Sequence, residues 1–174
     1  MTVPSDPLTV IGSGSSTLVK ELVKVGYTAI IAVDIAQAAL DQLSESLGDR
    51  AARVLLLRAD ARTVQLPHPV KLWHDRATFH FLTEEADQKV YAITAAESVA
   101  VNGYLVMAEF APDGPTSCSG LPVARHSAAS LQSIFVDGFE LIESFEHDHV
   151  TPSGAIQRFV HAMMIRRDRV SIAE

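Results

Sequence analysis

Polar chemistry is concentrated in the run Leu72-Trp73-His74-Asp75-Arg76-Ala77-Thr78-Phe79-His80-Phe81-Leu82-Thr83, where an apolar strand hands over to a helix. Asp75 or His80 is suited to take a proton from an arriving nucleophile, and Arg76 is suited to orient an anionic group. Three other strand ends also carry ligand-type residues: the turn Gly12-Ser13-Gly14, then Asp34, then Asp60. Gly12 and Gly14 let the backbone come close to a ligand, and the N-terminus of the following helix offers N–H groups to an oxygen or carboxylate. Asp34 lies twenty residues beyond Gly14, where a carboxylate can accept two hydrogen bonds from ribose hydroxyls. Asp60 is placed to accept from the exocyclic amine of adenine. Open α/β sheets bind ligands at such strand ends, so the recurrence points to a nucleotide-like cofactor.

Each residue also has a structural alternative. The glycine turn can simply join a strand to its helix, Asp34 can cap the helix that begins near Ala36, and Asp60 can be a solvated loop acid. Arg76 can salt-bridge Asp75 or a neighbouring loop, Phe79 and Phe81 suit a core, and His80 can be a satisfied structural histidine. His147-Asp148-His149 are metal-ligand types, but adjacent positions in extended chain point in different directions, so no metal site is assigned.

The elements that must position these residues follow from periodicity. Leu8 to Ile11 is a short apolar run, and Thr17 to Val25 places Leu18, Val19, Leu22 and Val23 near helical spacing. Ala29 to Val33 is a second strand, followed by Ala36, Ala39, Leu40, Leu43 and Leu47 on one helical face. Arg53 to Leu57 and Val70 to Trp73 are the third and fourth strands, with Pro67 and Pro69 restricting the connection between them to a loop or very short helix. Thr83 is expected to cap a helix running to about Val101, with Tyr104 to Phe110 as the fifth strand. A long loop, Ala111 to Arg125, should sit over the strand ends before Ser127 caps another helix. Phe139 to Glu146 and Ala155 to Ile165 suit an antiparallel hairpin, joined through His147–His149 and Thr151–Gly154. Alternating strands and helices predict an α/β, doubly wound, Rossmann-like and mainly parallel sheet of seven strands.

At 174 residues the chain fits one domain, which would bury roughly two-thirds of the surface its unfolded form exposes. No apolar run approaches the ~20 residues of a membrane span, and Met1 to Pro7 lack a signal-peptide pattern, so a cytoplasmic protein is expected. One cysteine, Cys118, excludes an internal disulfide framework. A formal charge of −7 argues against nucleic acid as a partner, the dense basic cluster Arg166-Arg167-Asp168-Arg169 notwithstanding.

These segments resemble the class I S-adenosylmethionine-dependent methyltransferases, and most closely a bacterial branch of small members. The matching stretches are Ile11-Gly12-Ser13-Gly14-Ser15-Ser16-Thr17-Leu18-Val19, Val33-Asp34-Ile35, Ala59-Asp60 and the run from Trp73 to Thr83. Gly103-Tyr104-Leu105-Val106, Phe110-Ala111-Pro112-Asp113-Gly114-Pro115 and Cys118 to Val123 match as well. The resemblance implies strand order 3-2-1-4-5-7-6 with strand 7 antiparallel, and S-adenosyl-L-methionine as cofactor. It puts Gly12, Ser13 and Gly14 around the methionine part, Asp34 on the ribose, Asp60 and Ala61 beside adenine, and His74 and Asp75 at the sulfonium end, with Ile35 among the cofactor-binding residues. The implied reaction is in-line attack of a small-molecule or protein side-chain nucleophile on the methyl group, for which the protein chiefly supplies proximity and alignment. Asp75, Arg76, Ala77 and Thr78 also resemble, in register, an Asp-Lys-Gly-Thr run of some protein lysine methyltransferases.

Two departures stand beside the resemblance. Val10 occupies a position where the family usually has an acid, and only Met1 to Pro7 precede the first strand where the family commonly has some tens of residues. The expectation is a single methyltransferase-like domain, 1–174, with a shortened N-terminus, a more open cleft and a homodimer or partner contact covering apolar area. A noncatalytic binding or scaffold protein retaining the fold is the alternative. A nicotinamide-dependent oxidoreductase fits less well, because Thr17 stands at the third fingerprint glycine.

Overall fold

The computed structural model describes residues 2–14 and 17–168, so the readings that involve Ser15, Ser16 and Arg169 lie outside the described residues. Apolar runs form the middle of the sheet. β1 (Leu8–Ile11) is buried along its whole length and β2 (Ile30–Asp34) up to its last residue, as expected of strands covered on both faces. β3 (Val54–Arg58), β4 (Val70–Arg76) and β5 (Val99–Phe110) complete the parallel part. A small hairpin of β6 (Ser117–Cys118) and β7 (Leu121–Pro122) interrupts the next loop, and β8 (Phe139–Val150) and β9 (Ile156–Arg166) form a long antiparallel hairpin. The large sheet has the order β3-β2-β1-β4-β5-β9-β8, with β9 antiparallel to both neighbours. Because β6 and β7 form a sheet of their own, this is the expected 3-2-1-4-5-7-6 arrangement.

Among the described residues, four α-helices cover the sheet unequally. α1 (Thr17–Lys24) buries Val19 and Val23, and α2 (Gln37–Leu47) buries Leu40, Leu43 and Leu47, each at helical spacing. They pack with Leu8, Val10, Ile30 and Ala32 over β1, β2 and β3. α3 (Glu85–Ser98) buries Gln88, Tyr91, Ala95 and Ser98, and α4 (Ala128–Phe135) buries Leu131 and Phe135. They close the larger core on the other face, around Trp73, Phe79, Leu105, Met107 and Met164. Each large apolar side chain fully buried there contributes ~1.5–3 kcal/mol. Ser127 and Ser130 form a reciprocal cap at the start of α4, in which the Ser130 N–H donates to Ser127 Oγ at 3.1 Å and the Ser127 N–H donates to Ser130 Oγ at 2.9 Å.

Three boundaries differ from the sequence-based expectation. Glu84, not Thr83, is the N-cap of α3, and the helix ends at Ser98 because Val99 already enters β5 in extended conformation. β-branched Val99 and Val101 favour strand over another helical turn. His147 to His149 continue β8 instead of joining the hairpin, which turns at Thr151–Gly154 with the Thr151 N–H donating to the Ala155 carbonyl at 2.9 Å. Along that outer strand Glu140, Glu143, Glu146 and Asp148 recur, and charges on an edge strand oppose pairing with another sheet.

Candidate functional site

Alternation along β4 divides its polar residues between two faces. Trp73 and Asp75 point into the core under α3 and are fully buried, whereas His74 and Arg76 point to the opposite face and line a cleft. The alternative of a salt bridge between Arg76 and Asp75 is therefore not realised. One Asp75 oxygen accepts from the backbone N–H groups of Thr78 and Phe79 at 3.1 and 3.3 Å, and the other accepts from the Tyr91 hydroxyl. The Tyr91 oxygen in turn accepts from Trp73 Nε1–H at 2.8 Å. Glu109, also fully buried, accepts from the His80 N–H at 3.1 Å.

Burial pushes Asp75 up to about 6 against the favourable pull of its Tyr91 hydrogen bond. Glu109 is pushed well above the ordinary range by burial first and by the neighbouring Asp75 charge second, so Glu109 holds the proton of the pair. His80 and His126 are driven down to about 4 by burial and are neutral at neutral pH. His80 thus faces Glu109, with Nδ1 3.4 Å from the carboxyl, as two uncharged groups. Asp75 and His80, the expected proton acceptors, are sealed from the cleft. They shape the turn that follows β4, including the one-turn 3₁₀ segment Phe79–Phe81.

The cleft, about 440 Å³, opens at the carboxyl ends of β1 and β4 and is lined by Val10, Gly12, Ser13, Thr17, His74 and Arg76, among others. Gly12 has φ +58°, and a Cβ there would lie 1.9 Å from Thr78 Oγ1, so the glycine turn and the turn after β4 are in direct contact. Gly14 has φ +46°, and its N–H donates to an Asp34 carboxylate oxygen at 2.7 Å. The other Asp34 oxygen accepts from the Ala36 N–H at 2.9 Å; Ala36 is itself the N-cap of α2, which has no side-chain cap hydrogen bond, so Asp34 steadies the turn before the helix without capping it. Ile35 is exposed next to it. Two buried polar atoms at the cleft, Ser13 Oγ and His74 Nδ1, have no hydrogen-bond partner among the described residues. Burial, then the Arg76 charge, lowers His74 to about 4 and keeps its ring neutral. Orphaned polar atoms in a cavity wall of this kind fit a polar ligand that completes their bonding.

Asp60 is placed differently from Asp34. Both its oxygens accept from Arg62, at 2.6 to 3.1 Å, and Arg62 also bridges to Asp87 on α3 at 2.8 Å. The Arg62 hydrogen bonds hold Asp60 below the usual carboxylate range. Ala61 is half-buried and packs on the core beneath. Among the described residues no group of three or more His, Cys, Asp and Glu side chains is arranged to hold a metal; His147 and Asp148 point to opposite faces of β8, and Asp148 reaches Arg158 at 3.8 Å. A second hollow, about 470 Å³, lies at the opposite ends of the strands between Val136–Glu140 and Arg167–Asp168, where Arg167 already pairs with Glu140 at 2.7 Å.

Sequence reasoning missed Tyr91, Glu109 and Thr78. Tyr91 sits on an ordinary amphipathic helix and gives no signal. Glu109 could have been found, since it is an acid inside the otherwise apolar stretch Tyr104 to Phe110. Ala77, between Arg76 and Thr78, has φ +59°, a strained conformation for a residue with a Cβ.

No protein-family model matches the chain. A 64-residue stretch, 37% of the chain, is 33% identical to the mouse eEF1A lysine and N-terminal methyltransferase, and that match spans only 9% of the mouse protein. Similarity to solved structures extends over nearly the whole chain. A S-adenosylmethionine-dependent methyltransferase from Methanosarcina mazei superposes with TM-score 0.78 at 14% identity, covering 95% of this chain and 94% of that one. The N-methyltransferase NodS from Bradyrhizobium japonicum, solved with S-adenosyl-L-homocysteine, gives TM-score 0.74 at 11% identity, covering 94% of this chain and 80% of that one. In strand order, in the single antiparallel insertion and in superposition, the chain has the fold of the class I S-adenosylmethionine-dependent methyltransferases.

Proposed function

We propose that the protein is a S-adenosylmethionine-dependent methyltransferase whose donor site is the cleft at the ends of β1 and β4. The observation that carries this reading is the pair of polar atoms without a hydrogen-bond partner among the described residues, Ser13 Oγ and His74 Nδ1, in a cleft bounded by Gly12 and lined by Arg76. When bound, S-adenosylmethionine supplies a methyl carbon on a positively charged sulfur, and an acceptor lone pair forms the new bond as the carbon–sulfur bond breaks. Gly12, Ser13, Gly14 and His74 hold the amino-acid end, and Asp34, already positioned by the Gly14 and Ala36 N–H groups, keeps lone pairs for ribose hydroxyls. Asp60 stands with Ile35 and Ala61 around the base end, its carboxylate committed to Arg62. Asp75 and Glu109 act as positioning residues, through the Thr78, Phe79 and His80 N–H groups. Val10 supplies no carboxylate at the cleft, and β4 brings the neutral His74 ring and Arg76 to the wall beside it. The acceptor is a small molecule or a protein side chain, and the protein works in the cytoplasm, with a homodimer as its proposed assembly.

Calorimetric titration with S-adenosylmethionine and S-adenosylhomocysteine, with NAD as control, tests the reading. Micromolar binding of the first two and none of NAD is expected, and Asp34→Ala should weaken it by ~1.5–3 kcal/mol through loss of charge-assisted hydrogen bonds. Folded protein that binds none of the three would favour the noncatalytic scaffold.

A further inference from the structure

One side of the sheet is only half covered. On the side of Trp73 and Asp75, α3 and α4 close the core over β4, β5 and β9. On the side of His74 and Arg76, α1 and α2 pack over β1, β2 and β3 and reach no further than Leu72 on β4. The pairing register lays two rows of side chains across the remainder. One is His74, Val106, Met163 and Glu143, and the row below it is Leu72, Tyr104, Ile165 and Glu140. Tyr104, Val106, Met163 and Ile165 are half-exposed, and among the described residues no helix lies over them. Above these rows the face is closed, because Cys118 and Val123 pack on Ala108, Phe110 and Phe159. What stays open is an apolar strip with α1 on one flank and the edge strand β8 on the other.

The two flanks carry opposite charge. Arg76, one row above His74 on β4, is exposed and has no carboxylate partner among the described residues. Glu143 on β8 is exposed and has no cationic partner among them, whereas Glu140 is held by Arg167 at 2.7 Å. A face that is apolar in the middle and oppositely charged at its flanks is complementary to itself when turned about a two-fold axis running along the strands. That turn lays β4 of one copy over β8 of the other, and β5 over β9. Val106 then meets the partner's Met163, and Arg76 comes beside the partner's Glu143, a contact made twice by symmetry. A two-fold across the strands would lay β4 on β4 and β8 on β8, and neither charge would meet its opposite.

The depth of the face fits the same occupant. Packed sheets stand ~10 Å apart, close to the ~10 Å thickness of a helix layer, so a second sheet fills the step beside α1. Pairing through the free edge of β8 is opposed by its acids, Glu140, Glu143, Glu146 and Asp148. The strands β4, β5, β9 and β8, ~4.8 Å apart and open over about six residues each, offer ~400 Å² of plan area per copy. That is below the ~800 Å² per partner of a standard interface, so the association should be reversible.

We propose that this half-covered sheet face binds a second copy of the chain, as an isologous dimer in which Arg76 pairs with the partner's Glu143 and each β8 flanks the other copy's cleft. It gives a surface to the homodimer put forward above, on which it rests, and is independent of what the cleft binds.

Sedimentation velocity on the full chain, from about 1 to 300 micromolar, tests it, with a dimer of micromolar dissociation constant expected. Arg76→Glu and Glu143→Arg each set like charges against one another at both contacts and should weaken self-association at least about tenfold. Mixing these two variants in equal amounts should restore the dimer to within about threefold of the parent, because both contacts of the mixed pair again join opposite charges. Met163→Glu should give a monomer whose circular dichroism is unchanged, and Ile93→Lys, on the exposed outer side of α3, should leave the dimer intact. A strict monomer over the whole range, a dimer indifferent to the two charge reversals, variants that do not recover on mixing, or loss of the dimer in Ile93→Lys would each overturn the proposal. Calorimetry with S-adenosylhomocysteine on the same samples keeps the readings apart. A strict monomer that binds it removes the surface alone, and a charge-dependent dimer that does not bind it supports the surface and removes the donor site.

Discussion

A single methyl group on Gly12 measures how tightly the glycine turn is locked to the turn after β4. Gly12→Ala has two costs. A Cβ at φ +58° costs ~1–2 kcal/mol for left-handed backbone. The same Cβ would sit 1.9 Å from Thr78 Oγ1 and 3.0 Å from Thr78 Cβ, and displacing a packed side chain adds ~1–3 kcal/mol. Thr78→Ala alone should be mild, because its hydroxyl reaches the Ile11 carbonyl at only 3.5 Å, a contact worth no more than ~0.5 kcal/mol. In the double variant the backbone cost persists while most of the clash is gone, so the two substitutions should couple favourably by ~1–2 kcal/mol. Urea unfolding of the four proteins gives that coupling energy directly. Additivity within ~0.5 kcal/mol would show that the two turns are not in contact as described. S-adenosylhomocysteine affinity, measured on the same set, should follow the clash and recover in part with Thr78→Ala.

The buried polar groups and the turn after β4 yield four more expectations. Tyr91→Phe leaves the Trp73 indole N–H without an acceptor and takes a donor from Asp75, so it should cost ~2–4 kcal/mol in denaturant unfolding; a change below ~0.5 kcal/mol would refute the network. His126 titrates near 6.5 when unfolded but is held at about 4 when folded, so its contribution to stability is complete above pH 6.5 and is lost as pH falls toward 4. That contribution is on the order of 3 kcal/mol, and His126→Phe, keeping a ring beside Phe79, should shrink the loss of stability between pH 7 and pH 4 accordingly; parallel stability–pH curves for the two proteins would count against a neutral buried His126. Asp75 works in the opposite sense, since a folded value raised to about 6 favours folding most below the ordinary carboxylate range and loses that advantage as pH rises through 6. Ala77→Gly should raise stability by ~0.5–1 kcal/mol, the relief of left-handed strain less the entropic cost of glycine, and a destabilised variant would argue that the Ala77 methyl packing against Phe110 and Phe159 outweighs the strain.

The fold was legible because its signals are local and repeated. Apolar runs at Leu8 and Ala29, each followed by helical spacing and a stop, and a third run from Arg53 define parallel strands before any contact is known. Boundaries were less legible where two propensities compete: Val99 and Val101 favour strand, and only the register of β5 against β4 decides that the helix yields at Ser98. The hairpin was misjudged for a related reason. His147-Asp148-His149 looks like turn chemistry, yet the pairing of His147 with Phe159 and of His149 with Gln157 keeps it in the strand.

The site residues divide according to a parity that sequence alone states but does not orient. His74, Asp75 and Arg76 alternate, so two of the three must share a face; which face meets the cleft depends on where the helices pack. α3 and α4 claim the side of Trp73, Asp75 and Glu109, and that choice buries the strongest acid–base candidates and leaves His74 and Arg76 on the cleft wall. An acid buried this way is costly unless its hydrogen bonds are complete, and Asp75 has three donors, from Thr78, Phe79 and Tyr91. Those donors fix the direction in which the chain leaves β4, hence where Thr78 meets Gly12. The polar run at the end of β4 therefore holds two turns together, and what it leaves on the cleft wall is a neutral imidazole and a guanidinium with no carboxylate partner among the described residues, a placement that would suit binding and alignment in the proposed methyl transfer.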